Sequence, residues 1–156
     1  MKGSRQGADH RLGDVLEFMR LLWAVDHGLQ STSKRMAANL GITGPQRLVI
    51  RIVGRFPGIS AGELAEVLHV HPSTLTGVLK RLEQRRLLER TADPRDARRA
   101  LLGLTRRGRA VDTTRTGTVE ASVRAALGRQ PRARLAAARM VLTALAGELG
   151  GEPARR

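Results

Sequence analysis

The sequence predicts a mainly α-helical protein with one small β-hairpin (an α+β fold class), and three observations support this. Apolar residues recur at spacings of three and four over most of the chain, the period of a helix with one buried face. Capping signals and Gly or Pro residues divide this pattern into separate helices. Between residues 87 and 104 the period changes, and two short apolar runs flank a turn that contains Asp and Pro, which indicates a hairpin.

The first predicted helix is long and amphipathic. Its apolar stripe begins at Leu12 and continues to Leu40, and Gly41 is a residue type that commonly ends a helix. Asp26 and His27 interrupt the stripe, which predicts a bend or a polar pocket at this point.

Three shorter helices are predicted in the middle of the chain. The first covers about residues 45–55 and has Pro in its first turn. Ser60, followed three residues later by Glu63, forms a capping box that begins the second helix. The third helix starts near Pro72 and runs to about Arg86.

The pattern beyond the third helix predicts two strands and then further helices. Residues 87–91 and 99–104 have the length of short strands, although Leu and Ala are weak β-formers. Thr105 is a capping residue, and we expect its helix to run to about Leu127. Residues 135–149 carry Leu and Ala at spacings of three and four, which predicts a final helix with a packing seam.

Three helices followed by a hairpin are the elements of a winged helix-turn-helix domain, which we assign to residues 43–105. The helices in residues 11–41 and 106–149 have apolar faces that so small a domain cannot cover. We therefore predict that these are dimerisation helices of a two-fold symmetric homodimer, the commonest oligomer symmetry. An intramolecular bundle is the alternative. A flexible N-terminus (residues 1–10) and a disordered tail (residues 150–156) complete the predicted organisation.

The distribution of charge favours nucleic acid as a partner. The net charge is +14, and residues 80–109 hold eleven Lys or Arg against four acids, so half of the surplus lies in under a fifth of the chain. Such a concentrated basic stretch is typical of nucleic-acid binding, whereas a membrane-surface protein carries its basic residues along one amphipathic helix. An ordinary solvated surface in an Arg-rich protein is the alternative. Only three aromatic residues are present, which argues against recognition of single strands by stacking.

Other classes of function find no support in the sequence. The absence of cysteine removes disulfides, thiolate metal sites and thiol redox switches. We find no nucleophile with a base, no Gly-rich phosphate loop and no metal-binding motif, so we predict neither an enzyme nor a cofactor. His69 and His71 lie in a turn without a carboxylate cluster, and we predict no metal site there. No segment reaches the roughly 18 apolar residues of a membrane span, and no secretory signal is apparent. We therefore expect a cytoplasmic protein without a membrane partner.

Three stretches of the sequence resemble the MarR family of bacterial regulators. They are Ser-Ala-Gly-Glu-Leu-Ala at 60–65, the pattern from Ser-Thr-Leu-Thr to Leu-Leu-Glu-Arg at 73–90, and the pattern from Asp-Pro-Arg-Asp-Ala-Arg to Leu-Thr-Arg-Arg-Gly at 93–108. Each stretch is a weak signal alone, but their order and spacing together are specific. The similarity extends from about Leu40 to Val111, and the apolar ends are consistent with the dimerisation helices of the family.

The resemblance implies a sequence-specific regulator that binds double-stranded DNA and acts as a repressor by occupying a promoter. A homodimer would place two recognition helices in successive major grooves of a pseudo-palindromic operator, with the wings in the flanking minor grooves. Transcription activation, a non-specific architectural DNA-binding protein, and a winged helix that contacts proteins or RNA remain as alternatives.

The resemblance also implies which residues contact DNA. The hydroxyls of Ser73, Thr74 and Thr76 on the first turns of the recognition helix could reach phosphates or base edges. In the family, the carboxylate corresponding to Asp96 orients the guanidinium corresponding to Arg98, which enters the minor groove. The predicted DNA-binding residues are Ser60, Ser73, Thr74, Thr76, Lys80, Arg81, Arg95, Asp96, Arg98 and Arg99.

Many members of the family bind a small anionic or aromatic effector between the dimer helices and the DNA-binding lobe. The residues that could face such a pocket here are Trp23, His27, Met36, Arg47 and Arg51. The alternative is that Trp23 and Met36 belong to the core and that both arginines lie on the surface.

Overall fold

The computed structural model describes residues 12–150, and these residues form helices and one two-stranded sheet. The predicted flexible N-terminus and residues 151–156 of the predicted tail lie outside the described residues. In chain order the elements are α1 (Gly13–Leu40), α2 (Gly44–Arg55), α3 (Ala61–Leu68), α4 (Pro72–Gln84), β1 (Leu88–Asp93), β2 (Asp96–Leu104), α5 (Arg106–Thr113), α6 (Val119–Leu127) and α7 (Arg132–Gly150).

Helix α1 runs without interruption through Asp26 and His27, where a bend or a polar pocket was predicted, and Asp26 lines a cavity between α1 and its neighbours. The Asp26 carboxylate accepts a hydrogen bond from the Gln30 side chain at 2.8 Å, one turn further along. This pair satisfies the polar group on the helix surface, so no break is needed. The helix ends as predicted at Gly41, whose φ of +67° is left-handed and whose N–H donates to the carbonyl of Ala37.

Helices α2, α3 and α4 enclose the core, and each begins at a side-chain cap. Thr43 and Gln46 form a reciprocal capping box at α2, and Ser60 and Glu63 form the predicted one at α3. Helix α4 is capped by His71. The buried side chains come from these helices, from the end of α1 and from the hairpin. The largest aliphatic side chains that are fully buried are Met36, Ile42, Ile50, Leu64, Leu79, Leu82 and Leu102.

The hairpin is longer than predicted. Strands β1 and β2 pair antiparallel from Leu88 opposite Leu104 to Ala92 opposite Ala100, with a register shift before the tip. The base of the hairpin also bonds to the segment before α3, where Leu102 N–H donates to the Ile59 carbonyl at 2.9 Å. The hairpin therefore stands beside the three helices as a wing, and the predicted fold class is confirmed.

The single helix predicted after Thr105 is two helices. Thr105 caps α5 as expected, but α5 ends at Thr113 and α6 begins only at Val119. Gly117 between them has a left-handed φ of +68°. Helix α5 packs against α2 and β2, whereas α6 packs against α1. The break therefore lets the chain leave the winged-helix lobe and return to the long first helix.

Much apolar surface on α1, α6 and α7 has no partner within one copy of the described chain. Neither α6 nor α7 has a buried residue. The side chain of Trp23 on α1 is 79% exposed, and Leu149 on α7 is equally exposed. None of the helices in residues 12–150 is long and apolar enough to cross a membrane. The open apolar faces lie on helices that the sequence assigns to dimerisation.

Candidate nucleic-acid interface

The N-terminal turn of α4 is exposed and organised by local hydrogen bonds. His71 Nδ1 accepts the Ser73 backbone N–H at 3.3 Å and lies 2.7 Å from the Ser73 hydroxyl. The Thr76 hydroxyl donates to the Pro72 carbonyl at 2.9 Å. His71, rather than Ser73, is thus the capping residue. The helix presents its positive end and small hydroxyls to solvent, an arrangement that suits phosphate.

Further along α4, two basic residues that are predicted to bind DNA are exposed. Lys80 and Arg81 lie one to two turns beyond the N-terminus, on the side opposite the buried Leu75, Leu79 and Leu82. The buried leucines fix the rotation of α4 against the core. The sequence therefore folds so that the polar face of this helix is the accessible one.

At the tip of the wing, two aspartates shape the turn through backbone groups. Asp93 Oδ1 accepts the Arg95 N–H at 2.9 Å, and Asp96 Oδ1 accepts the Arg98 N–H at 3.0 Å. The predicted pairing of the Asp96 carboxylate with the Arg98 guanidinium is not what the structure shows, because the carboxylate binds the backbone instead. In the part of the chain described, the Arg95 and Arg98 guanidinium groups have no ion-pair partner.

The neighbouring Arg99 is paired with α3. Arg99 Nη2 lies 2.5 Å from Glu63 Oε1, and Arg99 Nε lies 3.9 Å from Asp93 Oδ2. Glu63 Oε2 also accepts the Ser60 N–H at 2.8 Å and its hydroxyl at 2.9 Å. The Arg99 hydrogen bond, followed by those from Ser60, lowers the pKa of Glu63 to about 2, and the same pairing raises the pKa of Arg99. The sequence motif assigned Glu63 to the capping box alone and missed this second contact.

The structure brings four of the predicted DNA-binding residues together around one groove. This groove, of about 550 Å³, lies between the start of α3 and the wing, and its lining includes Ser60, Asp96, Arg98 and Arg99. Arg95 lies at the turn beyond it. The hydroxyl residues of α4 form a separate exposed group. Two basic or polar surfaces are thus available, one on α4 and one on the wing.

A larger cavity, of about 780 Å³, opens between α1, α2, α4 and α6. Its walls are mainly aliphatic, and its charged members are Asp26, Arg51, Glu120 and Arg124. Of the five predicted pocket residues, Arg51 alone lines it. Trp23 and His27 lie exposed on α1, and Met36 is buried in the core. The periodicity of α1 could not show which stretch of the helix faces α2.

Arg47 lies in the interior, although it was predicted either at a pocket or on the surface. Its side chain is 2% exposed and donates to Glu120 Oε1 at 2.7 Å, to the Thr114 carbonyl at 2.6 Å and to the Val111 carbonyl. Burial is the largest single influence and raises the pKa of Glu120, but the hydrogen bonds from Arg47 and from the backbone, together with the charges of Arg47 and Arg51, outweigh it, so the pKa lies below its ordinary value. Arg47 therefore ties α2 to the end of α5 and to α6.

Three helices around a leucine-rich core, an exposed α4 and a basic wing define a winged helix-turn-helix transcription regulator. The family model described as MarR family matches residues 40–99. The HTH-type transcriptional repressor Rv2887 of Mycobacterium tuberculosis is 35% identical over 115 residues, which cover 74% of this chain and 80% of the relative. The chain therefore belongs to the MarR family, as the sequence motifs indicated.

Other known proteins agree with this assignment. The organic hydroperoxide resistance transcriptional regulator of Bacillus subtilis is 32% identical over 88 residues, or 56% of this chain and 60% of that protein. The S. aureus MepR–DNA complex superposes with a TM-score of 0.71 at 19% identity, covering 85% of this chain and 97% of that one. A MepR-like protein complexed with pseudoligands gives the same TM-score at 22% identity, covering 88% and 96%. At these identities, the structures establish the shared fold.

Proposed function

We propose that the protein is a homodimeric repressor that binds a pseudo-palindromic operator in double-stranded DNA. The observation that carries this proposal is the accessible α4 N-terminus together with a wing whose Arg95 and Arg98 guanidinium groups lack ion-pair partners among residues 12–150. Helix α4 would enter the major groove, and the wing arginines would reach the adjacent minor groove, where the negative potential is concentrated. Binding to chromosomal DNA would place the protein in the cytoplasm.

The dimer is proposed from the apolar faces left open on the terminal helices. Residues 11–41 and 106–149 would supply the dimerisation helices, except that α5 packs on the lobe. So many exposed apolar side chains would be covered by a second copy of the chain. Those on α1 and α7 include Leu16, Met19, Trp23, Met140, Leu142 and Leu149. Two-fold symmetry would place the two α4 helices about one helical turn of DNA apart.

Repression follows most simply from occupancy, because a dimer on a promoter excludes polymerase. Rv2887, the relative described above, is named a repressor. This name supports repression, rather than activation, as the function proposed here. The wing and α4 provide the two contacts that such occupancy requires.

An effector role for the 780 Å³ cavity is a second proposal, and it rests on where the cavity lies. Its walls come from α1 and α6 on one side and from α2 and α4 on the other. A ligand that fits only one relative position of these helices would shift the dimer between two states with different affinity for DNA. The aliphatic lining favours a ligand with a mainly apolar body.

The test is footprinting of the purified protein on its own promoter region at two salt concentrations. We expect a protected palindrome with two half-sites about one helical turn apart. Protection that is uniform along the DNA and disappears between low and physiological salt would instead identify a non-specific architectural protein. No binding at either salt would leave a winged helix that serves protein contacts.

A further inference from the structure

We propose that Glu63 is a positioning residue for DNA recognition, because it holds the wing through Arg99, and that Arg99 acts in this clamp and not as a phosphate contact. The inference rests on the proposed DNA-binding function. It assigns a role to a carboxylate on α3, and it separates two adjacent arginines that the sequence treats alike.

Glu63 is an anchored carboxylate. It sits in the first turn of α3, where one of its oxygens accepts two hydrogen bonds from Ser60. The next residues of the helix, Leu64 and Ala65, are buried in the core. The carboxylate is therefore fixed relative to the lobe, and its other oxygen faces Arg99 at 2.5 Å.

Arg99 connects this fixed point to both strands of the wing. It belongs to β2, and its Nε lies 3.9 Å from the carboxylate of Asp93 at the end of β1. The backbone bonds between the wing and the segment before α3 lie further from the tip, at Leu101 and Leu102. Beyond them, the Glu63–Arg99 pair is the outermost ion pair between the wing and α3 among the described residues. A two-stranded hairpin without such support is marginal in water.

The two arginines differ in the charge that they can offer to DNA. Arg99 lies against two carboxylates. A DNA phosphate that approached Arg99 would have to displace one of them, so this contact would release few counterions from the DNA. Arg98 has no ion-pair partner within residues 12–150, and its backbone N–H is already fixed by Asp96. A contact made by Arg98 would therefore appear in the salt dependence of binding, whereas the contribution of Arg99 would not.

The experiment compares Glu63→Gln and Arg99→Gln in the full chain on operator DNA and on non-specific DNA. Glutamine at this position preserves the capping box. Each variant is expected to weaken operator binding roughly three- to tenfold, and the double variant by no more than either alone, since both remove the same contact. The salt slope should be unchanged by Arg99→Gln, whereas Arg98→Gln should reduce it by about one.

Glu66→Gln is the matched control. Glu66 lies on the same helix, lines the same groove and has no ion-pair partner in the described part of the chain. Both glutamine substitutions remove one negative charge beside DNA, which by itself would strengthen binding. Weaker operator binding by Glu63→Gln, beside unchanged or tighter binding by Glu66→Gln, therefore isolates the clamp from the general charge effect.

Two results would overturn the inference: operator binding by Glu63→Gln as tight as that by Glu66→Gln, or a salt slope that falls by about one in Arg99→Gln. If the unmodified protein binds no operator, the proposed function fails instead. The clamp is then tested by hydrogen exchange at the Thr91 and Leu101 amides, which face each other across the two strands of the wing. Faster exchange in Glu63→Gln than in Glu66→Gln supports the clamp, and equal rates refute it.

Discussion

Replacing Arg47 with Met tests whether the buried guanidinium stabilises the junction of α2, α5 and α6. Methionine keeps much of the aliphatic stem but removes the guanidinium that donates to Glu120 and to the carbonyls of Val111 and Thr114. Hydrogen bonds to a charged group contribute about 1.5–3 kcal/mol each, and breaking a buried ion pair costs about 3–5 kcal/mol. Because Glu120 keeps 30% exposure and can regain water, we expect a loss of about 3 kcal/mol in the free energy of unfolding.

The assay is urea unfolding followed by circular dichroism, with all variants at one protein concentration. Arg51→Met is the matched control, since Arg51 pairs with Asp112 at 2.6 Å and lies 3.7 Å from Glu120 Oε1 but is 33% exposed. It should cost about 1 kcal/mol or less. Equal losses for the two variants, or a loss below about 1 kcal/mol for Arg47→Met, would refute the view that burial makes Arg47 the stronger tie.

Three further predictions follow from the wing and its surroundings. Arg98→Ala should weaken operator binding by roughly 1–3 kcal/mol with the dimer intact in sedimentation, and an unchanged affinity would contradict a wing contact. Gly108→Ala should cost about 3 kcal/mol or more, because the new Cβ would lie 1.9 Å from the Leu87 carbonyl oxygen. Gly62→Ala meets no atom within 4 Å and should gain up to about 1 kcal/mol; equal melting temperatures would contradict this difference. The Glu63 carboxyl should titrate near pH 2 by NMR. Because its pKa is lowered in the folded state, its contribution to stability is present above the ordinary value of 4.5 and is lost as the pH falls toward 2. A midpoint near 4.5, or one that does not rise in Arg99→Gln, would count against the pairing.

Helix ends were predictable because capping is local chemistry. Thr43, Ser60 and Thr105 each bind a backbone N–H three residues away, and Gly41 adopts a conformation that few other residues tolerate. The information that ends a helix in this way lies within a short window of sequence. Hence the fold class and most element boundaries could be derived from the residues alone.

The break between α5 and α6 depends on a distant residue and was missed. The carbonyls at the end of α5 bond to Arg47, which lies more than sixty positions earlier in the chain. Residues 114–118 (Thr-Arg-Thr-Gly-Thr) carry no apolar side chain, so the apolar pattern could not show whether the helix continues there, and Gly117 alone is a weak signal. Tertiary hydrogen bonds that replace the helical ones cannot be inferred from a local pattern.

The wing shows the same limit at the level of the site. The family resemblance implied an ion pair between Asp96 and Arg98, but the Asp96 carboxylate accepts the backbone N–H of Arg98. Arg99 pairs with Glu63, a contact that requires the register of the hairpin and its position against α3. The residues expected to touch DNA were found on exposed surfaces, and their contacts with DNA remain predictions.

The few contacts of α7 with the rest of the described chain have a consequence for how the protein responds to dilution. A 19-residue helix with exposed apolar side chains is marginal in water when it stands alone, whereas the lobe from α2 to α5 has its own core. Melting of the terminal helices should therefore depend on protein concentration, and melting of the lobe should not. An operator that holds both lobes would raise the local concentration of the terminal helices, so DNA itself would help to complete the fold of the protein that binds it.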